Sequence, residues 1–521
     1  MKYLSTRGGA ERLTFEEAVL RGLAPNGGLY VPAEMPQLPA DWQTAWADLS
    51  FVELSFRVVS LFVPTTEEEG GIPSSDLRAL IEKSYATFRH EDVTPLHRVS
   101  EHEWCLELWH GPTFAFKDVA LQLLGNLFEY FLERRNMRDT TTPHTITVVG
   151  ATSGDTGSAA IAGLRSKANV HIFILHPRGR VSPIQEAQMT TILDENVHNL
   201  AVEGTFDDCQ DIVKALFSDK AFNDKHHLGA INSINWARIL SQIVYYFAAF
   251  FALRRKAPEV DPHQVQFVVP TGNFGDILAG YYAKRLGVPM AALAVATNEN
   301  DILQRFWATG RYEKQAEAGD VRATLSPAMD ILVSSNFERL LFYIAKETST
   351  AADKDEDAGR QVSEWMQELK TQGRMVVSDA QLALARRDFV SERVSDAETR
   401  DTILRYYRAA DNRASYLIDP HTAVAFETAN RLANGQAVPQ IILSTAHPAK
   451  FSEAVVSSIA SDSSEKEALA FFQTQVLPKE MHGLLEKERR VVGVAPAEGM
   501  DKLAGLIEST KAVIERDGFS H

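Results

Sequence analysis

The sequence predicts an α/β protein built on parallel sheets. From about residue 145 onward, short apolar runs of strand length alternate with helix-length segments, the pattern of strands covered on both faces. Two of these strands lead through loops of Gly, Ser, Thr and Asn into a helix. The chain has 521 residues, 45% hydrophobic and 23% charged, so it can bury a large core without a disulfide or metal staple. At roughly 150 residues per domain, that length suggests two to four domains.

Residues 1 to about 95 are rich in Pro and Gly and lack the strand–helix rhythm, which predicts a separate N-terminal domain. Thr145–Val149 reads as a buried strand, followed by a helix from about Gly157 to Lys167 and a strand over Val170–Leu175. Ser182-Pro183 opens a helix as cap and first residue. Asp208–Phe217 and Trp236–Arg255 read as helices, the second strongly apolar. Gln266–Val269 is a strand, then a Gly loop and a helix to Arg285, then strands over Met290–Ala296 and Gln440–Leu443. Thr348–Arg360 and Ser461–Lys466 are polar and read as solvated loops.

Lys plus Arg number 53 against 69 Asp plus Glu, a net charge of -16, which argues against a nucleic-acid partner. The two cysteines, Cys105 and Cys209, form no CxxC and suit a reducing compartment. Met1–Arg7 has no apolar signal core, and the apolar run Val244–Leu253 is short of the ~20 residues that cross a bilayer. These readings predict a cytoplasmic protein without a membrane partner.

In open parallel sheets ligands bind beyond the C-terminal ends of strands, so chemistry is sought in the loops that follow them. Gly150–Gly157 and Gly272–Asp276 each open a helix, where backbone N–H groups attract anions. The first has neither Walker nor GxGxxG spacing, and a capped turn is its plain structural alternative. In the second, two glycines allow close backbone approach, and Asp276 is a candidate helix cap. Two such loops suggest two separate anions. In HGPTFAFKD, His110–Asp118, Phe114 and Phe116 flank Lys117, an apolar setting of the kind that lowers a lysine pKa. Taken alone, Lys117 reads more readily as a surface lysine lying on aromatic rings. Ser444-Thr445 end a strand, and a turn closed by Pro448 explains them without a ligand. No HExxH, GxSxG or metal-ligand spacing occurs, so no catalytic metal is expected.

Together, HGPTFAFKD, the two loops, Asn232–Arg238 and the N-terminal Leu23–Pro32 segment resemble the threonine synthases of fungi and many bacteria, across nearly the whole chain. The resemblance implies a fold type II pyridoxal-phosphate enzyme similar to the tryptophan synthase β subunit. An N-terminal domain would span 1–95. A catalytic region would span 96–521, its smaller part about 110–205 and its larger part about 206–521. It implies that Lys117 holds pyridoxal 5'-phosphate and moves protons, and that Gly272, Asn273, Phe274, Gly275 and Asp276 cradle the cofactor phosphate. Thr445 would face the ring nitrogen. Thr152, Ser153, Gly154, Asp155 and Thr156 would take the substrate, with Asn235 and Arg238 as candidates for its phosphate. The implied reaction converts O-phospho-L-homoserine and water to L-threonine and phosphate, in a monomer or weak homodimer. A phospho-lyase yielding 2-oxobutyrate and ammonia on the same scaffold, and a non-catalytic cofactor binder, are the rival readings.

Overall fold

The computed structural model describes all residues except 142, 230, 315–320, 410–414, 461–463 and 520–521. Two parallel sheets form its frame. The smaller has five strands in the spatial order Val492–Val494, Val197–Val202, Val170–Pro177, Ile146–Ala151, Leu228–Gly229. The larger has six, in the order Phe389–Arg393, Ala292–Thr297, Gln266–Pro270, Gln440–Ser444, Glu103–Glu107, Leu96–Arg98. Only the pairing of Leu96–Arg98 with Glu103–Glu107 in the larger sheet is antiparallel. Inner strands such as Ile441–Leu443 and Val148–Val149 are buried on both faces, as their unbroken apolar runs require.

The division drawn near residue 205 does not separate the two sheets. Leu228–Gly229 and the late strand Val492–Val494 both join the smaller one, and helix Lys502–Asp517 packs beside it. The late strand is three residues long, too short to leave a periodic signal.

The first 95 residues do not keep a core to themselves. Tyr3, Phe15, Trp42 and Val58 share one continuous cluster with Trp236, Ile243 and Phe247. Those last three lie on helix Trp236–Lys256, which extends well beyond the run Val244–Leu253. By length and composition that helix could cross a membrane, yet 89% of its most apolar stretch is buried inside the protein, as in a core helix.

Helices Lys117–Arg138 and Asp155–Leu164 touch through Gly125 and Gly163, where a methyl on either would overlap the other's backbone. This close crossing sets the starts of the two helices, Lys117 and Asp155, side by side. The polar stretch Thr348–Arg360 is only partly a loop. Helix Lys354–Gln372 begins inside it, with Asp353 accepting from the N–H groups of Asp355 and Glu356 and acidic residues filling the first turn. Of Ser461–Lys466, residues 461–463 lie outside the described residues, and helix Glu465–Phe471 starts at its end.

Candidate active site

A cavity of about 420 Å³ lies where strands of both sheets end. The HGPTFAFKD segment reaches it through a tightly bonded turn. Asp118 accepts from the Thr113 N–H and the Thr113 hydroxyl, both at 2.7 Å, and packs so closely on Gly111 that a side chain there would overlap it. The loop is then bonded to the end of strand Gln440–Ser444: Phe116 N–H donates to Thr445 O at 2.8 Å, and His447 N–H donates to Phe114 O at 3.1 Å. Lys117 is thereby presented, buried, as the first residue of its helix. Its ammonium nitrogen stands 4.8 Å from the Phe116 ring centre. Phe114 does not share that task. With φ of 61° it turns away and stacks on the Arg89 guanidinium, 3.8 Å from its ring centre.

Lys117 Nζ lies 3.8 Å from Asp155 Oδ2, and Asp155 Oδ1 lies 3.0 Å from Lys450 Nζ. Burial lowers the Lys117 pKa; Asp155 opposes the shift, and the charges of Arg238 and Lys450 add to it. Burial works against the charge of Asp155, but Lys450, Lys117 and His421 outweigh it and hold the carboxyl below its ordinary range. Lys450 is fully buried and also donates to Thr113 O at 2.7 Å and Gln188 Oε1 at 3.0 Å. Local sequence pattern does not single out Lys450. Its one signal is a cation set among Pro448, Ala449 and Phe451 just past a candidate strand end.

The two loops differ in what they leave open. Among the described residues, the backbone N–H groups of Asn273, Phe274, Gly275 and Asp276 meet no acceptor. The left-handed conformation of this loop falls on Phe274, φ 63°, and not on either glycine. A bulky residue holds that conformation only when its surroundings insist on it. Here Phe337, Phe389 and Trp307 pack around the ring, with centres 5.3, 5.8 and 5.9 Å away. Gly272 is needed for close approach, since a Cβ would come within 2.8 Å of Ala328 O. In the earlier loop, Thr152 Oγ1 already accepts from the N–H groups of Gly154 and Gly157, at 3.0 and 2.8 Å. Of that segment Asp155 and Thr156 line the cavity, while Thr152, Ser153 and Gly154 do not.

Arg238 lines the cavity and is 3% exposed; its Nη1 donates to Ile231 O at 3.1 Å and its Nε has no partner among the described residues. Burial lowers its pKa to about 10. One turn on, Gln242 Oε1 is also buried without a partner among the described residues. Asn235 does not join them. Its Nδ2 donates to Val19 O at 2.8 Å and its Oδ1 caps the helix by accepting from Ala237 N–H at 3.1 Å, so the substrate role expected of it is replaced by a structural one. Thr445 lines the cavity; Ser444 instead accepts from Trp109 Nε1 at 2.9 Å and pairs with the Thr422 hydroxyl at 3.0 Å.

A buried lysine inclined to lose its proton, an open row of N–H groups at a helix start and an orphaned arginine nitrogen suit an aldehyde that carries a phosphate. These are the requirements of pyridoxal phosphate, and with the paired parallel sheets they define a fold type II enzyme that uses it. Residues 87–443 match the model of the pyridoxal-phosphate dependent enzymes, residues 2–85 that of the threonine synthase N terminus, and residues 422–506 that of the threonine synthase C-terminal region. The chain belongs to the threonine synthase family. It is 53% identical to threonine synthase of Schizosaccharomyces pombe, over 98% of both chains. The solved yeast threonine synthase superposes with a TM-score of 0.90 at 49% identity, covering 99% of this chain and 98% of that one. A pyridoxal-phosphate-bound threonine synthase from Brucella melitensis superposes with a TM-score of 0.83 at 42% identity, covering 98% and 99%.

Proposed function

We propose that this protein converts O-phospho-L-homoserine and water to L-threonine and phosphate, with pyridoxal phosphate as its cofactor. One observation supports this above the others: the Lys117 amine, favoured toward its neutral form, faces a cavity that offers open anion donors at the 272–276 loop and a separate buried cation, Arg238. The cofactor and the substrate each bring a phosphate, and this arrangement has a place for each.

Bound pyridoxal phosphate supplies an electron sink for the substrate carbons. The chain supplies the rest. Asn273, Phe274, Gly275 and Asp276 would hold the cofactor phosphate through backbone N–H groups, with Gly272 allowing the close approach. Thr445 presents a hydroxyl where the ring nitrogen would lie. A hydroxyl is a weaker partner for a protonated ring than a carboxylate, which suits elimination and replacement chemistry. Lys117 would hold the cofactor through its carbonyl, and its amine would be the group that takes and returns protons at Cα and Cβ of the substrate. Arg238 attracts the leaving phosphate. Thr156 takes the substrate carboxylate, and Asp155 keeps Lys117 in register.

The protein is proposed to act in the cytoplasm as a monomer or weak homodimer. Product analysis with O-phosphohomoserine tests the function: threonine and phosphate in equal amounts support it, whereas 2-oxobutyrate and ammonia would replace it with a phospho-lyase. Lys117→Ala should abolish turnover and the lysine-linked chromophore together, and full activity in that variant would refute the assignment.

A further inference from the structure

Helix Trp236–Lys256 brings two side chains to the cavity, Arg238 and Gln242. Four residues apart, they lie one above the other on a single helix face. Their neighbours Ile239, Leu240, Ile243 and Val244 are packed in the apolar core. Polar groups in such surroundings are nearly always hydrogen-bonded. Ser241 obeys that rule by donating to Ala237 O at 2.7 Å. Gln242 does not. It is 2% exposed, and neither atom of its carboxamide has a hydrogen-bond partner among the described residues.

The two ends of that carboxamide stand in different surroundings. Oε1 is shut in on the side of Gly275, 3.9 Å from where a Cβ on that glycine would be. Nε2 is not shut in, and because the residue lines the cavity, its free surface is cavity surface. The group is held this way round because an NH2 turned toward the open N–H row of residues 273–276 would set donor against donor. Arg238 divides in the same manner. Nη1 is spent on Ile231 O, Nε is shut in, and Nη2 opens on the cavity. The helix therefore offers the cavity two N–H donors one turn apart, one charged and one neutral.

We infer that Gln242 Nε2 joins Arg238 Nη2 in holding the phosphate of the substrate, and that Gln242 is a residue by which the site selects a phosphate monoester. This rests on the assignment of Arg238 to that phosphate. A single open N–H group on a guanidinium can bind any anion. A second donor one turn along the helix suits a tetrahedral group, which carries several acceptor oxygens at once. The carboxamide has no other use in the folded chain, and leaving its hydrogens unmade would cost stability with nothing gained.

The test uses full-length protein loaded with pyridoxal phosphate, so that the 272–276 loop is already taken. Calorimetry gives dissociation constants for inorganic phosphate and for L-homoserine, the substrate skeleton without its phosphate. The variants are Gln242→Met, which keeps the length and removes the donor, and Gln242→Glu, which keeps the shape and turns a carboxyl on the anion. Phosphate should bind about tenfold more weakly to Gln242→Met, and more weakly again to Gln242→Glu. L-Homoserine should bind all three proteins within about threefold of one another, which also shows that the cavity is intact. Equal weakening of L-homoserine and phosphate would mean that Gln242 shapes the cavity as a whole, and would overturn the inference. Unchanged phosphate binding in both variants, with weakened binding in Arg238→Met, would overturn it and leave the assignment of Arg238 standing. Unchanged binding in all three variants would remove the phosphate from this helix and overturn both. Pyridoxamine 5'-phosphate binding to the cofactor-free chain completes the comparison. If Gln242→Met weakens that ligand and spares inorganic phosphate, the carboxamide serves the cofactor and the inference fails.

Discussion

Lys450 Nζ lies 3.0 Å from Asp155 Oδ1, and the opposite oxygen of the same carboxylate lies 3.8 Å from Lys117 Nζ. Asp155 thus stands between two buried lysines of different kinds. Lys450 is saturated by Asp155, Thr113 O and Gln188, whereas Lys117 has Asp155 alone as an ion-pair partner among the described residues. The charge of Lys450 disfavours protonation of the Lys117 amine. Removing it by Lys450→Met should have two effects. Stability should fall by about 3 kcal/mol, because one partner of a buried pair is left behind. Asp155 would then pair more fully with Lys117, and the pH limb of turnover that reports the free amine should move to higher pH. Denaturant melts and the pH profile of kcat check the two effects, and an unmoved limb would show that Lys450 only supports the fold.

Arg238 is a buried cation whose Nε is unpaired among the described residues, and its charge bears on an amine that must not stay charged. If it attracts the substrate phosphate, Arg238→Met should raise KM for O-phosphohomoserine by about 30-fold, the equivalent of one charged hydrogen bond of about 2 kcal/mol. The cofactor dissociation constant should change by less than about threefold, well under 1.4 kcal/mol. The reverse pattern would assign Arg238 to the cofactor phosphate.

Much of this site was legible before any coordinates, but for uneven reasons. The strand–loop–helix passages at 146–164 and 266–286 announce themselves because a buried parallel strand is an unbroken apolar run and its loop must be small and polar. The side-chain assignments within those loops are harder. Thr152 looks like a ligand donor yet spends its oxygen on its own loop, and Asn235 looks like a polar site residue yet caps a helix against Val19. Both uses depend on partners that local pattern does not reveal. Lys450 was missed because a buried lysine needs a distant counter-charge, and Asp155 lies 295 positions earlier in the chain. The five helices between Phe337 and Ala433 carried no strand–loop signal and went unplaced.

Thr445 and Ser444 are adjacent hydroxyls with different surroundings. Ser444 is engaged by Trp109 and Thr422, and Thr445 lines the cavity with no side-chain partner among the described residues. Thr445→Asp would place a carboxylate where the ring nitrogen is expected and favour its protonated form. The absorbance of the bound cofactor should shift and turnover should fall by about tenfold or more, an energy of about 1.4 kcal/mol in the barrier. Ser444→Ala should leave the spectrum unchanged. An indifferent Thr445→Asp enzyme would place the ring nitrogen elsewhere.

His176 offers a test of stability away from the site. It lies on strand Val170–Pro177, 1% exposed, and neither ring nitrogen has a partner among the described residues. Burial lowers its pKa to about 4. An unfolded histidine titrates near 6.5, so between those two values the unfolded chain binds a proton that the folded chain refuses. The unfolded state then holds more protons, and stability must rise with pH across that window; equally, it falls as pH drops from about 6.5 toward 4. His176→Leu removes this dependence and fills the position with an apolar side chain. Urea melts should show that wild type loses about 2 kcal/mol more than the variant between pH 7 and about pH 4.5. Some acid sensitivity should survive, since burial also lowers His198 and His447 to about 4. An identical loss in both proteins would mean that the folded strand accommodates a charged His176.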